Sequence, residues 1–156
     1  MIGLRQRWKA LLFAGVSAAG LAGLAYAQVP PVGTGGLGGI IPVANSSGNV
    51  AAATATATLP AAVGKLTYIS GFQMTAGGST AVSSVTCTVS PVGAAGATLS
   101  YTFSTSATAD SPSNPLIVAF NPPLPTNAIN TAITATCPAL GAGNAHAAMS
   151  AQGFQR

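Results

Sequence analysis

An all-β sandwich is the fold this sequence predicts, and three observations predict it. Apolar residues alternate with Ser and Thr in short runs along most of the chain, the period of a strand with one buried face. Clusters of Gly, Pro, Ser and Asn separate those runs. No stretch beyond residue 27 holds a helical period. A single antiparallel sandwich of about seven or eight strands is the architecture that follows.

The amino terminus reads differently from the rest. Arg5, Arg7 and Lys9 make it basic, an apolar run of about 15 residues follows from Ala10 to Leu24, and Ala25-Tyr26-Ala27 closes it. That is the order of a secretory signal peptide with an A-x-A cleavage site. The apolar run falls short of the roughly 20 residues a spanning helix needs, and Gly15, Gly20 and Gly23 interrupt it. Residues 1–27 are therefore expected to be removed after Ala27, leaving no membrane span. The product is expected in the periplasm, outside the cell or on the surface of a bacterium.

Residues 28–48 are rich in Pro and Gly and are expected to form a flexible linker, in which Ile40-Ile41-Pro42-Val43 is the one apolar patch. The domain is expected over 49–156. Val50–Leu59 alternates Ala with Thr. In Lys65–Thr75 the apolar positions change face between Tyr68 and Phe72, and Gly71 marks a bulge that would re-phase them. After the turn Ala76–Ser79, Val85, Cys87 and Val89 share a face, as do Leu99, Tyr101 and Phe103. The polar stretch Ser104–Pro115 is a loop around Asp110. Leu116, Val118 and Phe120 alternate until Asn121-Pro122-Pro123 stops them. Ile133, Ala135 and Cys137 follow, and Ala145–Phe154 is the last strand.

Cys87 and Cys137 are the only cysteines, and both sit on the apolar side of a predicted strand. In an oxidising compartment an even pair reads as one disulfide. Bridging two predicted strands would require Cα atoms about 4.4–6.8 Å apart.

Charge excludes most chemistry. Globular domains carry roughly 25% charged residues, against 4% here. The pI near 9.6 leans on the three cations of the signal peptide. Without them, only Lys65, Asp110 and Arg156 carry charge, beside the single imidazole of His146. Two distant cations make no nucleic-acid footprint. One carboxylate side chain cannot supply the pair that glycoside hydrolysis needs, and no metal ligand set can be assembled. Asp110, His146 and a serine formally permit a hydrolytic triad, but there is no G-x-S-x-G elbow. Gly33-Thr34-Gly35-Gly36-Leu37-Gly38 matches the dinucleotide fingerprint in letters. It lacks the preceding strand, the following helix and a downstream acid. The chain reads as a non-enzyme without cofactor.

Three landmarks carry a resemblance: Leu59–Phe72, Pro115–Pro125 and Gly153-Phe154. Over residues 49–156 they look like the small jelly-roll-like β-sandwich proteins of phage, prophage and exported bacterial origin. The resemblance implies a structural, decoration or surface-binding role and no catalytic residues. A signal peptide and a cysteine pair depart from the virion members. Chaperone-assembled pilins are also exported sandwiches with one disulfide, but Gln155 stands where they carry a penultimate aromatic.

The expected partners are copies of the chain itself or a cell-surface polysaccharide. A carbohydrate-binding module is the alternative function, with Tyr68 and Tyr101 as candidate surface residues, although their alternating positions equally suit a core. A membrane β-barrel fits poorly, because its aromatic girdles are missing.

Overall fold

The computed structural model of the chain describes residues 39–156 apart from Ser83. The expected signal peptide, with Ala25 and Ala27 at its cleavage site, and the first part of the expected linker lie outside the described residues.

The described chain is all β. Its strands are β1 (Ile41–Ser46), β2 (Ala55–Leu59), β3 (Thr67–Ala76) and β4 (Ser84–Val92), then β5 (Ala97–Ser104), β6 (Leu116–Pro125), β7 (Ile133–Cys137) and β8 (Ala147–Gln155). Two four-stranded antiparallel sheets result, β1-β8-β3-β6 and β2-β7-β4-β5. Each early strand pairs with its late counterpart: β1 with β8, β2 with β7, β3 with β6 and β4 with β5. The chain is thus one long hairpin folded over on itself. Its tip is the β4–β5 turn, where Gly93 and Gly96 both take positive φ and the Gly96 amide donates to the Gly93 carbonyl.

Period-two alternation does the sorting. Ala55, Ala57 and Leu59 of β2, Cys87 and Val89 of β4, and Ile133, Ala135 and Cys137 of β7 are fully buried. Ile69, Phe72 and Met74 of β3 meet them from the other sheet with Ala147, Met149 and Ala151 of β8. Hydroxyl residues fall on the opposite face of the second sheet, where the register aligns Thr56, Thr136 and Thr88 across three strands. The Thr56–Thr136 and Thr58–Thr134 hydroxyls approach to 3.5 and 3.3 Å, cross-strand pairs of the kind that stabilise a ladder.

The layer between the sheets is tapered. Backbones of the two sheets approach along the β1, β2, β7 and β8 side, where the inward residues are largely Ala. Towards β5 and β6 the space is filled by Phe72, Tyr101 and Phe120, with ring centroids 5.2–6.4 Å apart. The bulge falls where the sequence places it, between Ile69 and Gly71, in the pairing of β3 with both its neighbours. A Cβ at Gly71 would lie 2.7 Å from the Val118 carbonyl oxygen, so only glycine lets β6 close in at that point.

Three boundaries differ from the sequence reading. The expected linker 28–48 is overrun by β1, whose Ile41 and Val43 take the core side of an edge strand. Pro42 is tolerated there because an edge strand has one row of amides without a ladder partner. The strand expected from Val50 begins only at Ala55. The Pro pair that was expected to end β6 lies inside it, since pairing with β3 resumes at Leu124 and Pro125.

Cys87 and Cys137 are joined within the second sheet, with Cα atoms 4.1 Å apart. The separation falls just under the expected window, and the two residues stand one position beyond the Thr88 and Thr136 pair of these neighbouring strands. The bridge closes a 50-residue separation, so removing it is expected to cost up to about 4 kcal/mol of stability. Replacing both cysteines by Ala should lower the denaturation midpoint accordingly, and an unchanged midpoint would show that the bridge contributes nothing.

Candidate functional site

Two places on the domain gather polar side chains, one at a loop end and one on a sheet face. The loop end holds the only acid and the only imidazole of the chain. Asp110 sits in the β5–β6 loop with φ +49°, and its amide donates to the Gly78 carbonyl. His146 lies just before β8, where its carbonyl accepts from the Gly77 amide. The His146 Nδ1 stands 2.8 and 2.9 Å from the two Asp110 carboxylate oxygens, and the Ala145 amide donates to the same carboxylate at 3.3 Å. These bonds hold the Asp110 carboxyl below its ordinary range, the His146 hydrogen bond being the main cause. Buried Asn144 ties the same end together by donating to the Gly77 and His146 carbonyls.

A carboxylate that orients an imidazole is half of a hydrolytic arrangement. The other half is a hydroxyl on the second ring nitrogen, and among the described residues no side chain other than Asp110 hydrogen-bonds to the His146 ring. Ser113 lines the same depression of about 300 Å³, but its hydroxyl accepts from the Ser106 amide. With 67% and 37% of their side chains open to water, His146 and Asp110 form a screened pair. It works as a latch between two loops.

The second place is the outer face of the β1-β8-β3-β6 sheet. Register aligns its outward residues in rows that cross all four strands. One row is Pro42, Phe154, Tyr68 and Pro125. The next is Ala44, Gln152, Gly71 and Ala119, and the third is Ser46, Ser150, Gln73 and Ile117. A depression of about 490 Å³ lies between the second and third rows, lined by Ala44, Ala119 and Gln152 on one side and by Ser46, Gln73 and Ser150 on the other, while Gly71 is buried beneath the face. The Gln73 and Gln152 amides are exposed and make no hydrogen bond to other described residues.

The two candidate tyrosines part company. Tyr68 faces outward and stacks on Phe154 with centroids 4.8 Å apart and planes 10° from parallel. That spacing is the strand spacing itself, so the rings stand face to face with their edges towards solvent. Tyr101 instead turns inward against Phe72 and Phe120, and burial pushes its hydroxyl pKa up. The expectation of Tyr101 as a surface-binding residue is corrected: its parity on β5 is that of buried Phe103. Gln73, Gln152 and Phe154 escaped the sequence reading, because which strands neighbour one another is set by non-local pairing.

No protein-family model matches the chain, and no curated protein matches it.

The Asp110 latch yields a prediction with a defined sign. A carboxyl held low in the folded state stabilises above its unfolded range, and that contribution is lost as pH falls through the folded value. The protection factor of the Ala145 amide, its exchange rate taken relative to the unstructured rate at the same pH, should therefore fall on acidification past the ordinary carboxylate range. Asp110→Asn should abolish this acid step; a step of equal size in the variant would assign it elsewhere.

Proposed function

We propose that this is an exported, non-catalytic surface-interaction domain that works through the outer face of the β1-β8-β3-β6 sheet. The observation that carries the reading is the trough lined by Ala44, Gln73, Ala119 and Gln152, a concave strip crossing four strands without a charged side chain. Eight strands nested as one folded hairpin support the finer description of the sandwich as a jelly roll, an architecture that capsid and lectin domains share. The fold alone assigns no activity. The A-x-A signature and the buried disulfide support export.

Pelleting the mature protein with envelopes of the producing bacterium tests the reading. The wild type should sediment with the envelopes, and Ala119→Trp, which fills the trough from an exposed position, should stay in the supernatant. Equal behaviour of the two proteins would sink it.

One observation favours self-assembly as a second reading. β5 ends its sheet, pairing only with β4, and its eight residues contain neither charge nor proline. Edge strands usually carry such devices against pairing with another chain. Sedimentation across concentrations should show association that Thr102→Lys, on the exposed side of β5, reduces. A strict monomer at high concentration counts against it.

A further inference from the structure

We infer that a second surface, the loop end that carries Val63 and Ile129, seats the domain on an anionic phospholipid bilayer. This goes beyond the sheet-face reading and does not rest on it. Four large apolar side chains are exposed among the described residues, Val63, Val82, Ile117 and Ile129, and Val63 is the barest at 94%. Val63 and Ile129 belong to one structure. Val63 is the second residue of the tight turn Ala62–Lys65, which the bond from the Lys65 amide to the Ala62 carbonyl closes, with Gly64 at φ +71° behind it. Ile129 directly precedes Asn130, whose side chain accepts from the Gly64 amide at 2.6 Å and whose own amide donates to the Lys65 carbonyl. The β2–β3 and β6–β7 loops are thereby tied into a single tip with an apolar side chain on each half.

The backbone of this tip suits a medium poorer in water. The Gly64, Lys65 and Asn130 amides are all bonded within it. The Ala128 and Ile129 carbonyls accept from the Thr126 and Thr131 hydroxyls. Backbone groups without partners resist transfer from water, and these have partners. Two protruding side chains fit a bilayer interface, which yields around them, better than a folded partner, which must carry a pocket for each.

Charge is distributed to match. Both cations among the described residues are at this end, Lys65 in the turn and Arg156, whose backbone bonds in both directions with Leu66. Asp110 bonds to Gly78, beyond the far end of ten-residue β3, about 30 Å away. An anionic surface therefore draws the apolar tip inward and turns the Asp110 carboxylate away. A terminal carboxylate at Arg156 offsets one cation, so Lys65 supplies most of the preference for anionic lipid and the apolar pair most of the hold. The Gly39 carbonyl accepts from the Lys65 ammonium at 3.1 Å, so the segment bearing the expected export leader joins the domain at this same end.

The test is co-sedimentation of the mature protein with vesicles of phosphatidylglycerol and phosphatidylethanolamine, which hold no glycan or protein for the sheet face. The wild type should partition onto them, and more weakly onto phosphatidylcholine. Val63→Asp with Ile129→Asp should lower the partition by about tenfold, and Lys65→Gln by about fivefold. Ile117→Asp, the same change on the sheet face, should behave as the wild type. A measurement free of variants is NMR with a spin label at headgroup depth, which should broaden the Gly64 and Asn130 amide signals and spare those of Gly78 and Asp110. No partition at any lipid concentration, equal partition onto phosphatidylcholine, an equal loss from Ile117→Asp, or broadening centred on Gly78 would each overturn the inference. Envelope pelleting through Ala119 depends on none of these outcomes, so the sheet-face reading stands or falls separately.

Discussion

Everything in this domain depends on the tapered apolar layer between the two sheets. Among the described residues only Lys65, Asp110 and Arg156 are charged, so ionic interactions can contribute little, and hydrophobic burial with the backbone ladder must hold the fold. Small inward residues set the taper. Ala55, Ala57, Ala135 and Ala151 let the sheets close where β2 and β7 face β8, while Phe72, Tyr101 and Phe120 hold them apart towards β5 and β6. Enlarging the first set or trimming the second would alter how one whole sheet lies on the other. The disulfide lies inside the second sheet, so it fastens β4 to β7 and leaves the joining of the sheets to packing and to a few hydrogen bonds such as that from the Asn45 side-chain amide to the Thr58 carbonyl.

The outer surfaces follow from the same poverty of charge. Where an ordinary sandwich uses Lys and Glu, the β2-β7-β4-β5 sheet uses aligned Thr and Ser hydroxyls, which suit strand geometry and hydrate the face. The opposite sheet is not its copy. Its rows run from an aromatic and proline row through a row of small residues to an amide and hydroxyl row, and the depression lies between the last two. The bulge at Ser70 and Gly71 re-phases the strand, so that Tyr68 faces outward while Phe72 stays in.

What the sequence could reveal was local. Alternation in Thr86–Ser90 and Thr134–Cys137, the re-phasing at Gly71 and the matched parity of the two cysteines all depend on neighbours within a few residues, and all are legible there. β1 was hidden because its Ile41 and Val43 are embedded in Pro and Gly, and only pairing with β8, more than a hundred residues away, makes them a strand. The trough was hidden for the same reason. Ala44, Gly71, Ala119 and Gln152 form a row only when four strands have chosen their neighbours, and no window of sequence contains that choice. Tyr68 and Tyr101 looked alike as alternating aromatics; the bulge decides for one and the parity of β5 for the other.

The latch shows where the lone carboxylate side chain is placed when charge is scarce. Asp110 and His146 lie 36 residues apart and meet at the end of the sandwich, where the β5–β6 loop crosses the approach to β8. Gly77 permits the meeting, since a side chain on it would collide with the Asp110 carboxylate. Alternation cannot organise a segment such as Ser104–Pro115, which lacks a buried face, so directional contacts must fix it. Backbone bonds from Gly78 to Ser111 and from Asp110 to Gly78 start the task, and the carboxylate completes it by binding Ala145 and His146 together. A charge placed in the trough would demand a counter-charge from any ligand. Placed at the loop end, it orders an irregular segment and leaves the sheet face neutral.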